Sequence, residues 1–346
     1  MFRWLISISI LLLCSSLLSC SNSDSVTKGP PRTTTPSENY TTAFPTNDVS
    51  SDLQRANNSL LRIVSTSYYQ NYYFDKPRIT LTDILTNDLS TIADAQVSTE
   101  NSSAGTSIVL QRNQDHSLLI TCAHVVTSPD TTITYYQGDD ILDKKYIKSI
   151  SIKQKQDDIG FDKQKINQFN IIASNRFTDL ALLKIKTDQT IFSKLPISFV
   201  MGNSDLLKAG SFLYILGFPK GYPMVTRGIV SQFDRPNRNL FVSDAIFNPG
   251  ISGGLVLASK DNFNTMEWVG IARSATASQE QILVPRPDSS EADFTVKPYT
   301  DIPYVVPKKR ISYGITQTIP ISTIKSFLRK NEKEISNSGF RYFVDF

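Results

Sequence analysis

The chain has 346 residues, of which 40% are hydrophobic and 20% are charged, and its formal net charge is +4. This length and balance predict a globular protein with a sizeable core. Lysine and arginine are scattered, and the tightest basic run, "PKKR" at 307–310, is too short for a nucleic-acid surface, so no nucleic-acid partner is expected.

The first segment predicts export. In "MFRWLISISILLLCSSLLSC" a charge at Arg3 precedes an apolar run that is too short for a spanning helix, so residues 1–19 are predicted to be a signal peptide. "LLSC" resembles a lipobox, which would make Cys20 the lipidated residue of a membrane-anchored protein facing the periplasm or the cell surface. An ordinary cleaved signal is the alternative.

Residues 20–54 are rich in Ser, Thr, Pro and Asn and nearly free of aliphatic residues. Such a segment cannot bury enough surface to fold, so it is predicted to be a flexible tether, with the folded part beginning near residue 55. Cys122 is the one cysteine left in that part, so no intramolecular disulfide is expected and a buried thiol is its default interpretation.

The remaining chain is dominated by strand signals. Short segments rich in β-branched and aromatic residues alternate with turn chemistry, as in "LLRIVSTSYYQNYYF", "SLLITC", "INQFNIIAS", "DLALLKI", "FLYILGF", "GLVLAS" and "EWVGIARS". One helix is predicted after Pro320, where Ile324, Phe327 and Leu328 recur at helical spacing. The pattern favours an all-β barrel or sandwich with a C-terminal helix.

Three residues are candidates for nucleophilic catalysis. Ser252 lies in "NPGISGG", which is either a tight turn or a presented serine. Of the two histidines, His116 follows a polar turn, whereas His124 follows an apolar strand, where catalytic groups are commonly presented. Asp179 directly precedes another apolar strand. A serine needs a base and a group that orients that base, so the three together are more informative than any one alone.

The order His, Asp, Ser is the chain order of chymotrypsin-type enzymes. "TCAHV", "TDLALLKI" and "NPGISGG" resemble the three catalytic motifs of trypsin-like serine proteases, and "YILGFPKGYPMVTRGIVS" with "SDAIFNPGISGG" resembles the bacterial HtrA/Deg-type branch. The resemblance implies a double six-stranded β-barrel of chymotrypsin type with a C-terminal helix over residues 55–346. It implies a serine endopeptidase that forms an acyl-enzyme, with protein or peptide substrates.

The resemblance also implies the roles of residues. His124 would be the base, Asp179 its orienting acid and Ser252 the nucleophile, and the N–H groups of Gly250 and Ser252 would form the oxyanion hole. The residues implied for the substrate pocket are Ile246 at its base and Ile271, Ala272 and Arg273 along one wall. No metal or organic cofactor is expected, and the oligomeric state is left open.

Several features depart from the family pattern. Ile251 stands where a small polar residue is usual and is expected to restrict the cleft, and Lys220 and Tyr222 crowd a loop that is usually smaller. Insertions are predicted near 75–103 and 274–310, and no PDZ module is recognisable after residue 333. The alternative function is therefore a lipoprotein that uses a protease-like barrel as a binding or adhesion module, with an occluded cleft. A purely structural lipoprotein would have no reason to keep the three residues in order.

Overall fold

The computed structural model describes residues 39–42, 47–136, 145–163, 165–187, 192–233, 239–261, 264–284 and 304–341. The predicted signal peptide, Cys20 and most of the predicted tether lie outside these residues. Within the described ranges, no helix has both the length and the apolar character needed to cross a membrane.

The first barrel is built from antiparallel strands of the N-terminal half. They are β1 (Leu60–Tyr73), β2 (Ala95–Arg112), β3 (His116–Cys122), β4 (Thr131–Tyr135), β5 (Ile147–Asp162), β6 (Lys165–Asn175) and β7 (Leu180–Lys186). The pairing order is β1-β2-β3-β7-β6-β5, and β5 pairs with β1 again, so these six strands close on themselves. β4 adds to the first half of β5.

The second barrel uses the following six strands. They are β8 (Phe212–Gly217), β9 (Met224–Ile229), β10 (Phe241–Ser243), β11 (Leu255–Lys260), β12 (Thr265–Val284) and β13 (Tyr304–Pro320), in the order β10-β13-β12-β11-β8-β9. A bridge between Val230 and Ser243 brings the two outer strands together. The predicted all-β double barrel is therefore confirmed.

The apolar segments seen in the sequence become strands that are buried along most of their length. In β3, every residue after His116 is buried, and β8 is buried throughout. A strand that is apolar on both faces must be covered on both, so these strands form the centre of the domain. One continuous core cluster includes Leu119 and Leu182 from the first barrel and Leu257 from the second, so the two barrels share apolar packing.

Helices are short except at the C-terminus. They are α1 (Ser50–Asn57), α2 (Leu81–Thr86), α3 (Leu89–Ile92), α4 (Ala123–Val126), α5 (Ile321–Lys330) and α6 (Glu332–Asn337). α5 begins directly after Pro320 and buries Ile324, Phe327 and Leu328, which confirms the predicted C-terminal helix. The expectation of a single helix was wrong, because the shorter helices are too brief to show helical periodicity in the sequence.

The predicted start of the folded part near residue 55 is also corrected. Tyr40 is buried, pairs with Lys260 beside β11 and donates a hydrogen bond to Glu267 Oε2 at 2.8 Å. α1 begins at Ser50 and buries Ala56. Tyr40 thus attaches the polar segment around it to the second barrel through Lys260 and Glu267. Part of the predicted tether therefore belongs to the domain.

The segments predicted as insertions extend the barrels. Near 75–103, α2 and α3 are followed by the first half of β2, which pairs with the second half of β1. A small apolar cluster around Phe74 and Ile147 lies in this region. Near 274–310, the outer half of β12 pairs with β13 as a hairpin, from Ala277 opposite Ile311 to Val284 opposite Tyr304. Residues 285–303, which follow β12 in the sequence, lie outside the described residues.

Candidate active site

His124 and Asp179 are brought together by the pairing of β3 with β7. Cys122 lies opposite Leu180 in that ladder, so α4, which follows β3, begins beside the residue that precedes β7. Ala123 N–H donates to the Asp179 carbonyl at 3.0 Å, and His124 N–H donates to Asp179 Oδ1 at 2.9 Å. Asp179 has a φ of 57°, a left-handed conformation that Asp adopts more readily than most residues.

The side chains of these two residues form a close pair. His124 Nδ1 lies 2.8 Å from Asp179 Oδ2 and 3.0 Å from Oδ1. A carboxylate can only accept, so the ring proton belongs on Nδ1 and Nε2 keeps its lone pair, which is the form a general base requires. The Asp179 side chain is 7% exposed, whereas that of His124 is 44% exposed. The acid is thus buried behind an accessible imidazole.

The pKa of Asp179 lies below its ordinary value. Burial alone raises the pKa of this carboxyl. Hydrogen bonds from the His124 side chain and backbone, the His124 charge and a hydrogen bond from Arg273 lower it by more than burial raises it. Asp179 is therefore ionised at neutral pH, as an orienting acid must be.

Ser252 comes from the second barrel, in the turn before β11. Its carbonyl accepts from Thr106 N–H of β2 at 2.8 Å, which joins the nucleophile segment to the first barrel. Gly253 follows with a φ of +88°, and a Cβ there would lie 1.9 Å from the Thr106 carbonyl oxygen, so only glycine fits. Ser252 Oγ donates to the Arg273 carbonyl at 2.7 Å. Among the hydrogen bonds of the described residues, none joins Ser252 Oγ to His124.

The peptide between Pro249 and Gly250 is held in one orientation. The Pro249 carbonyl accepts from Lys220 N–H at 2.7 Å. Because the C=O and N–H of a trans peptide point in opposite directions, the Gly250 N–H is turned away from Lys220. In the described part of the chain, neither Gly250 N–H nor Ser252 N–H donates a hydrogen bond, so both donors of the predicted oxyanion hole are free.

Gly250 and Lys220 both have backbone conformations that most residues avoid. Gly250 has a φ of +100°, and a Cβ there would lie 2.4 Å from the Phe218 carbonyl oxygen. Lys220 has a φ of 51° and a ψ of 23°, which costs a non-glycine residue about 1–2 kcal/mol. The loop around Lys220, which the sequence predicted to be crowded, is thus the loop that holds the Pro249 carbonyl.

The predicted pocket residues separate into two pairs. Ile246 is 57% exposed, and Arg273 is half-buried with its guanidinium directed to Asp179. Ile271 and Ala272 are fully buried in the barrel cores, and the Ala272 backbone is bonded to Gly253 and Gly254. Ile271 and Ala272 therefore place no side chain along a pocket, and the role of the segment Ile271–Arg273 as a wall that pairs with substrate backbone stays a prediction. Ile246 has a side chain that is more than half exposed to solvent, and its role at the base of the pocket stays a prediction.

Ile251 does not restrict the cleft, contrary to expectation. It is buried and packs in the core of the second barrel, with Cδ1 against Gly217. The usual small polar residue is replaced here by an apolar one that points inward. The unusual side chain therefore anchors the nucleophile segment.

Thr106 is a residue that sequence reasoning missed. It is fully buried, its Oγ1 donates to the Gly250 carbonyl at 2.9 Å, and the same oxygen accepts from Phe218 N–H at 2.9 Å. Together with the bond from its N–H to the Ser252 carbonyl, these contacts tie two segments of the site, the Phe218 loop and the Gly250–Ser252 turn, to β2. A threonine next to a glycine in a strand carries no sequence signal for this role.

Thr106→Val tests that role, because valine keeps the shape and removes the hydroxyl. Two buried backbone groups would lose their partner, so the free energy of unfolding is expected to fall by about 2–4 kcal/mol. Denaturant unfolding measures this change, and Thr106→Ser, which keeps the hydroxyl, is the control. A loss of less than about 0.5 kcal/mol in Thr106→Val would show that the hydrogen bonds of the hydroxyl do not stabilise the fold.

The site offers one set of metal-ligand types within the described residues. Cys122, His124 and Asp179 bring ligand atoms within 4.8 Å of one another. The carboxylate oxygens already accept from His124 and Arg273, and burial raises the pKa of the Cys122 thiol, which keeps it protonated. A hydrogen-bonded pair explains the cluster, and we assign no metal to it.

The segment that contains this site matches a known family. Residues 105–271 match the family model of the trypsin-like peptidase domain, and this range includes His124, Asp179, Gly250 and Ser252. The central segment of the chain is therefore similar to a trypsin-like peptidase domain, as its motifs predicted.

Relatives of HtrA type match shorter parts of their own length. "Serine protease HtrA-like" of Staphylococcus haemolyticus is 26% identical over 206 residues, which are 52% of this chain and 28% of that protein. "Probable periplasmic serine endoprotease DegP-like" of Marinomonas sp. is 42% identical over 90 residues, which are 24% of this chain and 18% of that protein. This chain thus spans less than a third of the length of either relative.

A solved structure was also matched, that of the serine endoprotease from Yersinia pestis. The match has a TM-score of 0.42 and 16% sequence identity, and it covers 85% of this chain and 69% of the other. The predicted similarity to HtrA/Deg-type proteins accordingly rests on the sequence matches.

Proposed function

We propose that this protein is an exported serine endopeptidase that hydrolyses peptide bonds through an acyl-enzyme. The observation that carries the proposal is the buried Asp179 carboxylate bonded to His124 Nδ1, at a seam where Ser252 is flanked by two free N–H donors. The trypsin-like peptidase match over residues 105–271 supports it.

In the proposed mechanism, the Ser252 hydroxyl turns from the Arg273 carbonyl toward His124. Oγ attacks the substrate carbonyl carbon while its proton passes to His124 Nε2, and Asp179 stabilises the imidazolium that forms. The oxyanion is bound by the N–H groups of Gly250 and Ser252. His124 then gives the proton to the leaving amine, and a water activated in the same way releases the acid product and Ser252.

The resting hydrogen bond of Ser252 is compatible with this sequence of steps. Catalytic hydrogen bonds are often long or absent in the free enzyme and form when substrate is bound. In the proposed mechanism, rotation of the Ser252 side chain about χ1 exchanges the Arg273 carbonyl for the imidazole. The substrates we propose are protein or peptide segments with a small or medium aliphatic residue before the scissile bond, placed against Ile246.

The proposal is tested by labelling with a fluorophosphonate, which phosphonylates only an activated serine. The purified full chain is expected to incorporate one label, whereas Ser252→Ala and His124→Ala incorporate none. Ser231→Ala, which removes an exposed serine whose hydroxyl bonds only to the Ile229 carbonyl, is the matched control and should label like the parent. A folded parent that does not label would overturn the enzyme proposal and favour a binding module.

We further propose that the protein is anchored by a lipid on Cys20 and faces the periplasm. The lipobox-like "LLSC" and the word periplasmic in the name of the Marinomonas relative support this proposal. Cys20→Ser is expected to abolish incorporation of a fatty-acid analogue and to release the protein from the membrane fraction. Incorporation that persists in Cys20→Ser would refute this anchor.

A further inference from the structure

Arg273 contacts two of the three proposed catalytic residues. Its carbonyl accepts from Ser252 Oγ at 2.7 Å, and its guanidinium Nε donates to Asp179 Oδ2 at 2.9 Å. The other end of the guanidinium is held by Gln317 of β13, whose Oε1 accepts from an Arg273 terminal nitrogen at 3.1 Å.

A β-bulge gives Arg273 this position. In the pairing of β12 with β13, Ala272 lies opposite Thr318 and Ser274 lies opposite Gln317, so Arg273 is the extra residue between them. A bulge redirects the side chain of its extra residue and is common beside functional sites. Here the redirected side chain reaches from the second barrel to the acid of the first.

The His124 imidazole and the Arg273 guanidinium share one oxygen of the Asp179 carboxylate. Oδ2 of Asp179 accepts from both His124 Nδ1 and Arg273 Nε. Arginine is always charged, whereas an imidazole becomes charged only when it takes a proton. The guanidinium weakens the pull of Asp179 on that proton and also repels the imidazolium directly. Both effects favour the neutral imidazole, which is the form that accepts the Ser252 proton.

Within the described residues, the side chains that interact with Asp179 are His124, Arg273 and Cys122. Cys122 of β3 is the further titratable group that interacts with Asp179, and its burial raises the pKa of the thiol, so it stays neutral. Gln317 of β13 is uncharged. The balance at this carboxylate is therefore set by His124 and Arg273.

We propose that Arg273 is a positioning residue that keeps His124 in its neutral, base form and so extends the activity of the protein to mildly acidic pH. This inference rests on the proposed function. It acts through Asp179, because the guanidinium both fixes Oδ2 in the direction of Nδ1 and competes for its charge.

The test compares Arg273→Gln with the parent. Glutamine keeps a donor for Asp179 and removes the charge. The second-order rate of fluorophosphonate labelling is measured against pH on the full chain, and the midpoint of its acidic limb is expected to rise by about one pH unit. Arg273→Lys, which restores the charge, should return the midpoint toward the parental pH. Arg78→Gln, which removes the arginine of an exposed pair with Asp94, should leave it unchanged.

A second measurement does not depend on catalysis. The chain has only two histidines, so the titration of each imidazole can be followed by NMR, with His116→Gln to assign them. His116 lies at the opposite end of β3 and serves as an internal reference. Arg273→Gln is expected to move the His124 titration midpoint to higher pH and leave that of His116 in place.

The outcomes separate this inference from the proposed function. The role of Arg273 alone would be overturned if the parent labels and Arg273→Gln leaves two midpoints unchanged or lowers them. These are the midpoint of the labelling rate against pH and the midpoint of the His124 titration by NMR. A parent that does not label at any pH overturns the proposed function and this inference with it. A lower rate with an unchanged pH midpoint would mean that Arg273 is only structural.

Discussion

Asp179→Asn is expected to lower the rate of fluorophosphonate labelling by about 10⁴-fold, the size of effect that this amide substitution has in enzymes with a Ser-His-Asp triad. Asp179 Oδ1 accepts from His124 N–H, so the amide oxygen must take that place. The amide NH₂ then faces His124 Nδ1 and Arg273 Nε, where Oδ2 had accepted two hydrogen bonds. An NH₂ group can only donate to Nδ1, so the ring proton moves to Nε2 and the base is lost.

The labelling rate of Asp179→Asn is measured at neutral pH beside Asp130→Asn. Asp130 pairs with Lys153 and its side chain is 90% exposed, so the same substitution there removes an exposed charge that is paired with a lysine and not with the imidazole. Asp130→Asn should label at the parental rate. If Asp179→Asn folds and keeps more than about a tenth of that rate, the imidazole is not oriented by this carboxylate and the proposed role of Asp179 is wrong.

Gly250→Ala is expected to slow labelling by about 100- to 1,000-fold, as when one oxyanion donor is removed. The new Cβ would lie 2.4 Å from the Phe218 carbonyl oxygen and 3.1 Å from Lys220 N, both of them backbone atoms. The Pro249–Gly250 peptide must therefore rotate and break the hydrogen bond from Lys220. Its N–H then no longer points toward the site where the oxyanion forms.

Gly314→Ala is the matched control for Gly250→Ala. Gly314 also has a positive φ, +80°, but a Cβ there would meet nothing within 4 Å. Both variants carry the cost of a left-handed alanine, about 1–2 kcal/mol of stability, and only Gly250→Ala adds the collision. Thermal unfolding checks that both fold. Equal labelling by the two variants would show that the orientation of the Gly250 peptide is unimportant.

The sequence predicted the barrels and the His–Asp pair for the same reason. His124 and Asp179 each lie within two residues of a strand that is mainly apolar, so the two strands were recognisable and their ends carried the candidate residues. Because β3 and β7 are adjacent and antiparallel, the end of one lies beside the start of the other. Only the pairing itself had to come from the three-dimensional structure.

Features that depend on a local irregularity were not predictable. The resemblance to the family implied that Arg273 lies along the pocket wall, and it gave no sign of the bulge that turns the Arg273 side chain toward Asp179. A bulge inserts one residue without a compositional signal. Similarly, Tyr40 docks on Glu267, which lies 227 residues away, so no local pattern could place it.

The division of the site between two barrels has a consequence for biosynthesis. His124 and Asp179 flank β3 and β7 of the first barrel, whereas Ser252 is held through Gly253 by Ala272 of β12 in the second barrel. During synthesis and export, a chain that lacks β12 holds a base and its acid but no fixed nucleophile. On the proposed function, hydrolysis therefore requires that β12 is already in place beside Gly253.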